Sequence, residues 1–258
     1  MRKSDIAYRV RNTLKLNENE CKWENGAVVI GRQGGKHILE IAEEVSSVLK
    51  RYNNVKIKFT NCVFKKSIKL EQITFKDILY FIDSTFEEEV DFSRSIFEKR
   101  VFFSESTFKK KASFEEVIFE HNAYFDETIF EDEANFDMSE FCRHARFYGA
   151  NFKEFPNFIQ TIFDWQINLT NVELVSIESL EGKIDRVYKR KKDRYDKKSN
   201  KNPTKEPQKH KIINELRDSF RAIRSALIEN NDMLDAEHYR TLERHCEKIG
   251  AEHKNSNQ

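Results

Sequence analysis

An apolar residue returns along the middle of the chain at alternating steps of five and six, at positions 59, 64, 70, 75, 81, 86, 92, 97, 103, 108, 114, 119, 125, 130, 136, 141, 147, 152, 158, 163, 169 and 174. Nineteen of these 22 positions are Phe, the others are Leu70, Leu169 and Leu174, and only Phe102, Phe155 and Phe220 lie outside the series. Steps of five and six at about 100° per residue scatter the rings around a helix and give it no apolar stripe. A continuous strand fails as well, because an odd period of 11 sends successive rings to opposite faces. The chain must therefore turn about every five residues, and four sides of five, six, five and six residues close one coil of 22.

A second regularity is independent of the first. The residue two before each ring is small or aliphatic: Ser84, Val90, Ser95, Val101, Ser106, Ala112, Val117, Ala123, Thr128, Ala134, Ser139, Ala145 and Ala150. Residues two apart on an extended segment face the same way, so each unit offers one large and one small inward group and turns the residue between them outward. Stretches such as Val101-Phe102-Phe103-Ser104-Glu105-Ser106-Thr107-Phe108 and Ala134-Asn135-Phe136-Asp137-Met138-Ser139-Glu140-Phe141 resemble the Phe-rich variety of the pentapeptide-repeat family. The commonest form of that family steps by five throughout, so two of the four corners are expected to be one residue wider here. The resemblance implies a mainly β fold, a right-handed quadrilateral β-helix, and the usual hand of parallel crossovers agrees. Coils about 4.8 Å apart make five or so turns a rod roughly 25 Å long. Charged residues at 34% suit such a thin core better than a compact globule.

Both ends of an open coil need capping. Residues 1–58 read as a small α/β cap: a strand at Ala27-Val28-Val29-Ile30, a helix carrying Ile38, Ile41, Ala42, Val45, Val48 and Leu49, and a strand from Val55 into Phe59. Gly31-Arg32-Gln33-Gly34-Gly35-Lys36-His37 lies where a phosphate-binding loop would sit, but Ile30 and His37 occupy positions that the nucleotide motif needs as Gly and Ser or Thr, so it reads as a glycine turn. The solenoid is assigned to residues 59–180, and a basic flexible linker to 181–211, dense in Lys and Arg with Pro203 and Pro207. A helical hairpin follows at 212–250, with Ile212, Ile213, Leu216, Phe220, Ile223 and Leu227 on one stripe, Ala236, Tyr239, Leu242, Cys246 and Ile249 on the other, and Asn230-Asn231-Asp232 as turn and N-cap. It resembles the hairpin that follows the repeats in bacterial pentapeptide proteins whose chains continue into membrane helices. No run of 18 apolar residues and no secretory leader is read here, so the expected compartment is the cytoplasm.

No catalytic set converges, and neither an enzyme nor a cofactor is expected. Cys21, Cys62, Cys142 and Cys246 form no metal or disulfide pattern. His238 and His245 are read as a solvent-facing pair rather than metal ligands, and Cys142 and His144 as surface residues. The outside is more informative. A turn of 22 stacks Tyr80, Phe102 and Tyr124 on one face with Arg146 next above, a candidate docking stripe. Net charge is +5 over residues 1–58, −10 over 59–180 and +6 over 181–258. Between Ser113 and Glu140 stand Glu115, Glu116, Glu120, Asp126, Glu127, Glu131, Asp132, Glu133, Asp137 and Glu140 with no Lys or Arg, so one side of the rod is expected to be negative.

The preferred expectation is a scaffold or interaction module with a protein partner, self-associating through the hairpin and touching anionic lipid through the basic linker, with nucleic acid not expected. The alternative, raised by resemblance, is a DNA-mimicking rod acting on a type II topoisomerase.

Overall fold

The computed structural model describes residues 3–31, 39–41, 45–172, 180–182, 184–185, 187–189, 192 and 208–255. The chain divides into two compact units, one of Met1–Pro156 with Thr161–Leu174 and the other of Asn157–Gln160 with Val175–Gln258.

The first unit is a four-sided β-solenoid in which every sheet contact of the repeat joins residues 22 apart in parallel, as in Val101↔Ala123 and Phe108↔Phe130. Face 1 stacks Ile57–Thr60, Leu79–Ile82, Val101–Phe102, Ala123–Tyr124, Ala145–Arg146 and Ile167–Asn168. Face 2 stacks Cys62–Phe64, Thr85–Phe86, Thr107–Phe108, Ile129–Phe130 and Asn151–Phe152. Face 3 stacks Ile68–Lys69, Val90–Asp91, Ala112–Ser113 and Ala134–Asn135, and face 4 runs from Thr74–Phe75 through Ile96–Phe97, Ile118–Phe119 and Glu140–Phe141 to Ile162–Phe163.

Sequence spacing dictates the interior. Every described ring position, from Phe59 to Leu169, is buried, and Leu174 lies outside the described residues. Rings of one face stack along the coil, as Phe86 on Phe108 at 4.5 Å and Phe108 on Phe130 at 5.0 Å. Rings of opposite faces meet edge to face across the interior, as Phe103 with Phe114 at 5.4 Å and 73°. Each buried ring contributes on the order of 1.5–3 kcal/mol, so stability accumulates from layer to layer.

The two corner types differ by more than length. In every five-residue step one residue takes a left-handed conformation, at Asn61, Gln72, Asp83, Arg94, Glu105, Glu116, Glu127, Met138, Gly149, Gln160 and Asn171, one in every eleven. The next residue inward carries a hydroxyl at Ser84, Ser95, Ser106, Thr128, Ser139 and Thr161. Ser106 Oγ donates to Phe81 O at 2.9 Å and accepts from Ser84 N at 3.0 Å, and Ser95 Oγ joins Leu70 O and Ile73 N in the same way. These buried hydroxyls join successive coils through backbone groups that the two-residue strands leave outside their ladders. At the six-residue steps the corresponding residue is Val or Ala from Val90 to Ala145, and no left-handed residue occurs there among the described residues.

The N-terminal cap prolongs two faces. β1 (Cys21–Glu24) and β2 (Ala27–Ile30) form an antiparallel hairpin, and β2 lies parallel on Ile57–Thr60. β3 (Leu39–Ile41) lies parallel on Cys62–Phe64. The expected helix is shorter than its pattern: Ile41 is in a strand, because its backbone completes the open edge of face 2, and α2 covers only Val45–Arg51. Ile38 and Ala42 lie outside the described residues, as does the glycine stretch after Gly31. At Gly31 a Cβ would stand 2.5 Å from Thr60 O, so close backbone approach demands glycine there. A further helix, α1 (Lys3–Thr13), buries Ile6, Ala7 and Val10 and was not anticipated.

In the second unit, residues described between 180 and 192 are helical, and positions 193–207 of the expected linker lie outside the described residues. α3 (Lys209–Glu229) and α4 (Met233–Asn255) form the hairpin, with every residue of the two expected stripes buried. Asn231 turns the chain at φ 60°, and Asp232 Oδ1 accepts from Asp235 N at 3.3 Å as the N-cap. Buried Glu243 on α4 takes Arg221 Nε at 2.7 Å and Arg224 Nε at 2.9 Å. Ser219 on α3 accepts the Phe158 N–H at 3.1 Å, tying Asn157–Gln160 to this unit.

Candidate interaction surface on face 1

The residue between each inward pair points outward, and on face 1 the register aligns Lys58, Tyr80, Phe102, Tyr124, Arg146 and Asn168 in one row. The expected stripe is therefore brought together. Tyr80 stacks on Phe102 at 4.6 Å and 7°, Phe102 on Tyr124 at 4.4 Å and 2°, and the Arg146 guanidinium lies 5.7 Å above the Tyr124 ring. The rings occupy one another's faces and turn their edges, the positive part of the aromatic quadrupole, outward. Tyr124 OH accepts from Asn122 Nδ2 at 3.0 Å, and burial pushes the Tyr80 hydroxyl pKa up.

Two charged borders flank the row. On the side of face 4 the corner carries both signs, Glu98 with Lys99 and Arg100, Glu120 with His121, and Arg143 with His144 in successive layers; burial first, and then Arg100, Lys99 and Arg143, depress the His121 pKa. Arg143 also lies 5.8 Å from the Trp165 ring. On the side of face 2 the corner carries Asp83, Glu105, Asp126 and Glu127. Asp126 is bonded by Arg146 Nε at 3.2 Å, yet burial outweighs that cation and raises its pKa.

The ten carboxylates between Ser113 and Glu140 are at the surface, but they do not make one negative side. The coil sends Glu115, Glu116 and Asp137 to the corner of faces 3 and 4, Glu140 to face 4, Glu120 to the corner of faces 4 and 1, Asp126 and Glu127 to the corner of faces 1 and 2, and Glu131, Asp132 and Glu133 to the corner of faces 2 and 3. At that last corner the sequence alternates by layer, Lys65-Lys66, Glu87-Glu88-Glu89, Lys109-Lys110-Lys111, Glu131-Asp132-Glu133. Lys65 pairs with Glu87 at 3.1 Å, Lys109 with Glu87 at 3.4 Å and Lys111 with Glu133 at 3.0 Å. The signal for this was charge blocks of opposite sign 22 residues apart, which a count of acids alone hides.

Among the described residues, Glu140, Cys142 and Asp164 bring three potential ligand atoms within 4.8 Å of one another, and burial first, then the neighbouring carboxylates, push the Cys142 thiol pKa up to about 11. His238 is exposed and His245 half-buried on α4, and seven residues of helix separate them by about 10 Å, too far for one ion. A groove of about 350 Å³ on face 3 is lined by Asp91, Ser93, Arg94, Lys111, Ser113 and Glu115, with no convergent donor set. No helix among the described residues is long and apolar enough to cross a membrane.

The architecture defines a β-solenoid repeat protein whose interior is filled by rings and whose chemistry lies on its outside. The family model described as Pentapeptide repeats (9 copies) matches residues 59–107 and 114–161, and the repeat region is a pentapeptide-repeat domain. Neither a curated protein nor a solved structure matches the chain.

Proposed function

We propose that this chain is a non-catalytic scaffold or interaction module that presents face 1 of its solenoid to a protein partner. The observation that carries this reading is the outward stack of Tyr80, Phe102 and Tyr124 closed by Arg146, an aromatic stripe on a rigid support. Aromatic and Arg side chains are the anchors that protein interfaces favour. The helical hairpin and the basic segment before it serve as attachment in this reading. Affinity capture with the wild type and with Phe102→Glu tests it: the variant should keep the circular dichroism of the wild type and lose a protein the wild type retains. An identical set of captured proteins from a folded variant would count against it.

The topoisomerase reading is less well supported, because a mimic of DNA needs a continuous anionic face. Here the carboxylates go to all four corners, Glu133 is paired with Lys111 and Asp126 with Arg146. The expected result in a supercoiling assay is no inhibition.

A further inference from the structure

The register makes the outward row of face 4 Thr74, Ile96, Ile118, Glu140 and Ile162. Glu140 breaks that row, a carboxylate set between two isoleucines where β-branched side chains pack better. A second departure falls in the same layer. Cys142, two residues on and so on the same outward side, is the one cysteine of the four that is not buried. The spacing of 22 then sets Asp164 in the layer above Cys142 and Glu120 in the layer below. The ligand atoms of Glu140, Cys142 and Asp164 lie within 4.8 Å of one another, and Cys142 Sγ stands 3.5 Å from Glu140 Oε1. A tetrahedral zinc ion, with Zn–S about 2.3 Å and Zn–O about 2.0 Å, holds sulfur and oxygen about 3.5 Å apart. That pair already has the spacing of two ligands on one ion.

Charge points the same way. At the corner of faces 2 and 3 acids of one layer pair with lysines of the next, whereas no ion pair among the described residues neutralises Glu120, Glu140 or Asp164. Arg143, next to Cys142 in the chain, turns to the Trp165 ring instead. We propose that Glu140, Cys142 and Asp164 bind one borderline-soft divalent cation of the Zn²⁺ class, and that the ion clips two layers of the solenoid together. One thiolate with two carboxylates suits Zn²⁺, whereas Mg²⁺ and Ca²⁺ take oxygen ligands throughout. On binding, the ion takes the Cys142 sulfur as thiolate and the thiol proton leaves to solvent, while water fills the fourth position. Ile162–Phe163 is the outermost strand of face 4 and pairs on one side, with Glu140–Phe141. An ion joining Asp164 to Glu140 and Cys142 therefore pins that last strand to the coil beneath it.

Two titrations of the full chain, freed of metal by a chelator, test the site. Calorimetry with Zn²⁺ should show a saturable site of one ion per chain, and Cd²⁺ should raise the ultraviolet charge-transfer band of a cadmium thiolate. The thermal midpoint should rise with Zn²⁺, because the ion binds the folded chain. Cys142→Ala should lose the band, and Asp164→Asn and Glu140→Ile should each weaken Zn²⁺ binding by roughly tenfold or more. Glu140→Ile restores the apolar row, so without metal it should melt no lower than the wild type, which separates loss of a ligand from loss of the fold. Absence of saturable binding overturns the proposal. So does a band that survives in Cys142→Ala, which puts the metal on another thiol, or wild-type affinity in both carboxylate variants. Displacement of Cd²⁺ by excess Ca²⁺ overturns it too, since that marks a site of oxygen ligands alone.

Discussion

Ser106 shows how much a single hydroxyl carries at a corner of this coil. Its oxygen serves Phe81 O and the Ser84 N–H at once, and it sits beside Glu105, which holds φ at 59°. Replacing Ser106 with Val leaves two buried backbone groups without a partner, and the expected cost is about 1–3 kcal/mol per group left unpaired, read as a lower urea midpoint at an unchanged slope. Gly149 is the one glycine among the eleven left-handed corner residues. A Cβ there would stand 3.3 Å from Glu127 Cγ, so Gly149→Ala should lower stability by about 1 kcal/mol in the same measurement. The small residue before each ring was legible in the sequence, but its alternation was not extracted: hydroxyls cluster at five-residue steps, while Val or Ala stands at six-residue steps. The physical cause is the left-handed corner, whose orphaned backbone groups become visible only once the coil is built.

At the scale of the element, the ring series was legible because each Phe repeats one local demand without help from distant residues. Phe114 at the centre touches rings of its own, a neighbouring and the opposite face, and Phe114→Ala should cost about 3–5 kcal/mol, whereas Phe163, stacked on Phe141 near the end of the described coil, should cost less. Calorimetry on the two variants checks the order. The cap was less legible. Ile41 sits in a helix-like pattern, yet the open edge of face 2 recruits it as a strand, a tertiary demand that local spacing cannot reveal. The candidate surface divides in the same way. Tyr80, Phe102, Tyr124 and Arg146 follow from the number 22 alone, while the ten acids required each corner to be placed before they could be seen to point in four directions. The alternating blocks at the corner of faces 2 and 3 favour the native layer register. Lys109→Glu should therefore destabilise the fold by less than about 1 kcal/mol, and by less again in high salt.

For the whole molecule, buried thiols give stability an alkaline limit. Burial pushes Cys21, Cys62 and Cys246 up to about 12 from an ordinary 9.0. A folded-state pKa raised in this way means the native chain keeps protons that the unfolded chain loses, so this contribution is fully present below about pH 9 and declines as pH rises toward 12. Thermal midpoints should stay flat through neutral pH on this account and fall above it, and native thiols should react slowly with a disulfide reagent until the chain unfolds. The central claim is that residues 22 apart lie on top of one another while residues 11 apart lie on opposite faces. Thr85 and Thr107 are outward neighbours in the register of face 2, and Ile96 is outward on face 4. Oxidation of Thr85→Cys/Thr107→Cys, followed by mass spectrometry of the digest, should yield the 85–107 disulfide, and Thr85→Cys/Ile96→Cys should yield no bridge within one chain. A bridge between 85 and 96, or none between 85 and 107 in a folded protein, would contradict the coil on which every other inference stands.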